Sequence, residues 1–150
     1  MRSLAAVAFA ATTLLTAPLA AQDHSAHAAL LHPNTATEAQ LAKVPGFTAA
    51  LAKAVVAKRP YARMADFDAV VRATLDSAAS REAYKHVFVP IDLNTATDAE
   101  ILMIPGAGRR VLREFKEYRP YKAMAQFERE MGKYWDKDEV GRLAKYVKVQ

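Results

Sequence analysis

The sequence contains no cysteine. That absence excludes disulfides, thiolate metal sites and a lipid-anchored lipoprotein together. Whatever holds the chain together must therefore be packing. Past the N-terminal stretch, no segment offers the roughly 18 or more apolar residues that a membrane span needs. Sustained alternation over a strand length is also missing, which points to an all-α chain. Catalytic groupings are missing too: no nucleophile stands with a base and an orienting partner, and no carboxylate cluster suggests a divalent metal. The residues lead us to expect a binding protein, not an enzyme, with no cofactor.

What is present begins with a targeting pattern. Met1-Arg2 gives a positive start, Leu4 to Leu15 is almost unbroken apolar sequence, and Ala17-Pro18-Leu19-Ala20-Ala21 supplies small residues. This is the layout of a cleaved secretory signal peptide over residues 1–21, so a periplasmic or secreted mature protein without stable membrane insertion is expected. Residues 22–32, rich in Ala and His, read as a flexible leader. His24, His27 and His32 lie there without a scaffold or carboxylate partner, so a solvated tail is expected rather than a metal site. The formal charge of +5 is compatible with an anionic partner.

The rest of the chain is one unit written twice. Asn34-Thr35-Ala36-Thr37 recurs as Asn94-Thr95-Ala96-Thr97, an offset of 60 residues. At the same offset Pro45-Gly46 matches Pro105-Gly106, Arg59-Pro60-Tyr61 matches Arg119-Pro120-Tyr121, and Phe67 matches Phe127. The repeats cover residues 33–90 and 91–150. Each reads as four helices. Thr37 with Gln40, and Thr97 with Glu100, fit a capping box. Pro45 and Pro105 stop the first helices, Pro60 and Pro120 the second. Met64 with Phe67, and Met124 with Phe127, mark the third. The fourth begins near Asp76-Ser77 and at the Asp136–Glu139 cap. Asn34 and Asn94 precede capped helices and suit backbone bonding. Tyr61 and Tyr121 plug gaps between helices, and the Tyr134-Trp135 pair reads as core rather than as a base-stacking platform.

One hairpin has further chemistry. Ile104-Pro105-Gly106-Ala107-Gly108-Arg109-Arg110 is a helix, a Gly-x-Gly turn and the start of a second helix. Glycines let the backbone approach a partner closely. The next helix begins with unpaired N–H groups and the positive end of its dipole, which together suit a phosphate oxygen. On a helical wheel Arg109, Arg113 and Lys116 share one face, opposite Val111, Leu112, Phe115 and Tyr118. Glu114 and Glu117 are close enough in sequence to pair with the cations.

Leu93-Asn94-Thr95-Ala96, the Ile104–Gly108 segment, Tyr118-Arg119 and Tyr121 together resemble the ComEA-type competence proteins. Members carry two consecutive helix-hairpin-helix elements in about 60 residues and bind double-stranded DNA without sequence preference during uptake. The resemblance implies two tandem helix-hairpin-helix units, with the backbone of Gly106 and Gly108 and the side chains of Arg109 and Arg110 on DNA phosphates; Ala107 completes the expected site, and the helical wheel adds Arg113 and Lys116 as charge. It also implies double-stranded DNA as partner, alongside protein components of an uptake or envelope complex.

The first repeat departs from the pattern. Val44-Pro45-Gly46-Phe47-Thr48-Ala49-Ala50 has threonine for the second glycine and alanine for both arginines, keeping only Lys53 of the basic face. The later hairpins, Ala73-Thr74-Leu75 and Gly132-Lys133-Tyr134, have also lost Gly-x-Gly. One intact socket in four leaves a second reading open: a non-enzymatic structural or protein-interaction module of the PsbU type that has lost DNA binding. DNA binding requires the Arg109 face to be open and continuously positive; the alternative has it covered or broken by acidic side chains.

Overall fold

The computed structural model describes residues 29–150. The expected signal peptide and the leader up to residue 28 lie outside them. Among the described residues the chain is all-α apart from a two-strand ribbon. The first repeat holds α1 (Glu38–Leu41), α2 (Ala49–Ala57), α3 (Met64–Arg72) and α4 (Ser77–Ala83). The second holds β1 (Ile91–Asp92), α5 (Asp98–Met103), α6 (Arg109–Glu117), α7 (Met124–Met131), α8 (Lys137–Ala144) and β2 (Val147–Lys148). No described helix is long and apolar enough to cross a membrane.

Local chemistry sets most of these boundaries. Both capping boxes form: the Thr37 hydroxyl accepts from the Gln40 N–H, Thr97 accepts from Glu100, and each third residue bonds back. Asp76 and Asp136 cap α4 and α8 by accepting from the backbone N–H of Ala79 and Glu139. The two Asn residues act as backbone clamps. Asn34 Nδ2 donates to the Tyr61 carbonyl (2.9 Å) while its Oδ1 accepts from the Tyr61 N–H (2.8 Å). Asn94 does the same to Tyr121 at 2.9 and 2.7 Å. Arg59 and Arg119, each before a cis proline, donate to the carbonyls of Ala36 and Ala96. The Arg-Pro-Tyr segments are thus spent on closing each repeat.

Each repeat also joins its beginning to its end. β1 pairs in parallel with β2, Ile91 opposite Val147, and an isolated parallel bridge links Leu31 to Val87 at the corresponding place. The leader expected over residues 22–32 therefore stops short of Leu31. His32 is likewise no solvated tail. Its Nδ1 accepts from the Asn34 N–H (3.1 Å), as the Asp92 carboxylate accepts from Asn94 (2.9 Å). Burial lowers the His32 pKa, helped by Lys148 and Arg59.

The two repeats share one hydrophobic core. A chain of rings runs through it: Tyr61, Phe67, Tyr84, Phe88 and, across the boundary, Tyr146 edge-on to Phe88 at 5.0 Å. Beside this spine Arg63 grips Glu100, Nε to Oε1 at 3.1 Å and Nη2 to Oε2 at 2.6 Å. Glu100 is 2% exposed, whereas the Arg63 side chain is 53% exposed. Burial works against the Glu100 charge, but the Arg63 guanidinium and the bonds from Thr97 outweigh it and hold its pKa at about 2. The pair therefore stabilises the fold fully above the ordinary glutamate range near 4.5, and that contribution fades as pH falls towards 2. Glu100→Ala removes the carboxylate that accepts from the Thr97 N–H and that partners an exposed guanidinium, while Thr97 still caps α5, so a loss of about 1 kcal/mol is expected at pH 7. Urea melts at pH 7 and pH 2.5 check this: the variant's deficit should shrink at the lower pH.

Candidate nucleic-acid interface

Four helices follow a hairpin inside the repeats, and their N-caps differ in one decisive respect. Thr48, Asp76 and Asp136 each turn a side-chain oxygen onto the first turn of α2, α4 and α8. Gly108, at the N-cap of α6, has no side chain to do so. Thr48 Oγ1 takes the Leu51 N–H at 3.1 Å; the corresponding Val111 N–H faces no such oxygen. At those three caps a side-chain oxygen already satisfies a first-turn N–H, and at Asp76 and Asp136 it also carries negative charge. The α6 N-terminus is the open member of the set.

The turn before it is built tightly. Gly106 sits at φ +79° and Gly46 at φ +82°, a conformation that side-chain-bearing residues rarely adopt. A Cβ on Gly106 would also lie 3.3 Å from Arg142 Nη2, whereas one on Gly108 would meet nothing within 4 Å. Arg142 is a part of this site that the sequence reading did not find. It donates Nη1 to the Pro105 carbonyl (2.5 Å) and forks onto Glu139 (2.7 Å), bracing the hairpin from α8.

The expected basic residues divide into two pairs. Arg109 and Arg110 are exposed at the helix start. Arg109 has no ion-pair partner among the described residues. Arg110 lies over the rings of Trp135 and Tyr134, at 5.2 and 5.7 Å from their centroids, so it is held in place without losing charge. Trp135 and Tyr134 are half-buried, serving both as packing and as this platform. Arg113 and Lys116 are each tied to a carboxylate instead. Arg113 bonds Glu114 (2.7 Å) and Lys116 bonds Asp98 (2.7 Å). Glu114 turns inward, 1% exposed, with one carboxylate oxygen unpartnered. The face is open, then, but its positive charge is concentrated at the hairpin rather than spread evenly along α6.

The second hairpin of this repeat offers nothing comparable. Gly132 is the C-cap of α7 in ordinary right-handed conformation, and a Cβ there would press on the Glu128 carbonyl at 3.1 Å. No group of three or more potential metal ligands occurs among the described residues.

Residues 28–76 match the family model described as a helix-hairpin-helix motif, which is generally associated with nucleic-acid binding. The match falls on the first repeat, whose hairpin has lost its second glycine. Comparison with curated proteins and with solved structures gives no match.

Proposed function

We propose that this chain is an exported, sequence-independent binder of double-stranded DNA that works through phosphates at the α5–α6 hairpin. The observation carrying this reading is the uncapped N-terminus of α6, flanked by two exposed arginines. Backbone N–H groups of Gly108 and the first turn supply directional bonds, and Arg109 and Arg110 supply charge. Such contacts position a duplex without reading its sequence. A single site of this size suggests binding in the non-specific range, about 10⁻⁴ to 10⁻⁶ M. Export rests on the pattern in residues 1–21, and uptake of DNA is the setting that the ComEA-type resemblance suggests.

Gly108→Thr tests the carrying observation by giving α6 the cap that α2 has. Its backbone is extended (φ −124°) and has room for a side chain. The variant should be at least as stable, by about 0.3 kcal/mol, and bind a random-sequence duplex several-fold more weakly. Thermal melts and fluorescence anisotropy read the two effects. Unchanged DNA affinity in the capped variant sinks the proposal.

Pairing of Arg113 and Lys116 with carboxylates favours the alternative to a limited degree: along its length α6 looks more like a structural helix than a phosphate track. A structural module, however, gains nothing from leaving Gly108 where Thr48 stands.

A further inference from the structure

An open cavity in the first repeat is walled by three helices. Asp68 and Arg72 stand one turn apart on α3, and Ser77, Ser80, Arg81 and Tyr84 follow one another at helical spacing along α4 to its C-cap. The third wall is the Ala99, Leu102 and Met103 face of α5. The cavity holds about 190 Å³, less than the roughly 300 Å³ at which sites for drug-sized ligands begin. Two walls carry polar groups and the third is apolar. Leu102, at 41%, is the one exposed large hydrophobic among the described residues.

Most of the donors are not spent on one another. Tyr84 gives its proton to Asp68 (2.5 Å), and Arg72 Nη2 donates to Ser77 Oγ (2.9 Å), which steadies the guanidinium at the cavity edge. Neither Arg72 nor Arg81 forms an ion pair among the described residues. Ser80 is the informative member. It is 2% exposed, and its hydroxyl has no hydrogen-bond partner, not even the carbonyl one turn back that a helical serine can take. A buried hydroxyl left this way is destabilising. The fold does not require it, because the second repeat has Val140, also buried, at the same position. Arg72, Arg81 and Tyr84 likewise give way to Gly132, Gly141 and Ala144 around equivalent helices. The polar lining is thus peculiar to the first repeat and is not a condition of its packing.

We propose that this cavity binds a small organic phosphate, with its head on Arg72, Arg81, Ser77 and Ser80 and its apolar body against Leu102 and Met103. Two guanidinium charges face one carboxylate, which Tyr84 already engages, so the site favours an anion. Guanidinium forks and hydroxyls arriving from two walls suit the three terminal oxygens of a phosphate monoester. A DNA backbone carries related phosphate oxygens, and the test separates that source from a small molecule.

Amide and arginine side-chain NMR of the chain from Gln22 onward is followed during titration with butyl phosphate, and separately with inorganic phosphate. Ionic strength is held constant, and ligand reaches about 10 mM, where millimolar affinities register. Both ligands should shift the signals of Arg72, Ser77, Ser80 and Arg81. Butyl phosphate should bind about tenfold more tightly, the factor expected from burying two methylenes against Leu102. Ser80→Ala removes the unpartnered hydroxyl, so its melt should be unchanged or higher while its affinity falls several-fold. Arg81→Gln alters an exposed side chain and should lose most of the binding with the fold intact. The proposal is overturned if butyl phosphate leaves the four residues unmoved, or binds both variants as tightly as wild type. A Ser80→Ala chain that melts well below wild type also overturns it, since the hydroxyl is then structural. So does a random-sequence duplex that moves these signals where butyl phosphate does not, because the arginines then belong to a DNA surface.

Discussion

Replacing both Arg109 and Arg110 with alanine should weaken duplex binding about 60-fold near 0.1 M salt, with the log–log salt slope falling by about 1.8. Each cation that neutralises a phosphate releases counterions, contributing about 0.9 to the slope. Both side chains are exposed at the start of α6, and neither is paired with a carboxylate among the described residues. Arg113→Ala and Lys116→Ala should each change the slope less, because Glu114 and Asp98 already partner those cations. Stability should separate the two arginines. Arg110→Ala gives up its stacking on Trp135 and Tyr134, a loss of about 0.5–1 kcal/mol, while Arg109→Ala leaves the melt unchanged. Anisotropy titrations at four or five salt concentrations read the slopes directly. Equal slopes for wild type and double variant contradict the phosphate assignment.

Phe88→Ala should cost about 3–5 kcal/mol and lower the melting temperature by roughly 10–20 °C. Phe88 is fully buried, with its ring between Tyr84 of its own repeat and Tyr146 of the next. Removing it opens a cavity at the junction of the repeats, where neighbours from both sides lose contacts. Because one core spans both repeats, wild type should unfold in a single transition seen alike by calorimetry and by Trp135 fluorescence. The variant should show one lowered transition, still seen alike by both probes. A melt in which only the first repeat loosens, with Trp135 reporting no change, would mean that the repeats fold independently.

The features legible in the sequence were those whose partners lie within a helical turn or recur at the repeat offset. Thr37 with Gln40, Thr97 with Glu100, and the caps at Asp76 and Asp136 are bonds over three residues, and each forms. The Asn clamps reach across 27 residues; the place of Asn34 and Asn94 before capped helices indicates backbone bonding but not that the partner is Tyr61 or Tyr121. What the helical wheel could not show was anything brought in from another helix. It placed Glu114 near the cations, but not its inward turn beneath Arg113. It gave no hint that Asp98 reaches Lys116 or that Arg142 braces the hairpin from 37 residues away. His32 was misread because its counterpart is Asp92, and only the shared Asn N–H contact reveals that an imidazole stands in for a carboxylate.

In the proposed reading, fold and phosphate chemistry separate between the two repeats. The first keeps Gly46 at positive φ and a hairpin packed on Leu75, but Thr48 bonds its own helix. Its sequence still matches the helix-hairpin-helix motif. Burial and turn geometry thus suffice to preserve the motif, while the Thr48 hydroxyl takes up a first-turn N–H that the proposed site in the second repeat leaves for a phosphate.

The most direct measurement is the amide nitrogen–proton NMR spectrum of the chain during titration with a short random-sequence duplex. The account predicts that the amides of Gly108, Arg109, Arg110 and Val111 shift progressively, while those of Thr48, Ala49, Ala50 and Leu51 stay in place. Shifts of equal size at both hairpins, or none at Gly108 through Val111 when binding is otherwise evident, contradict it.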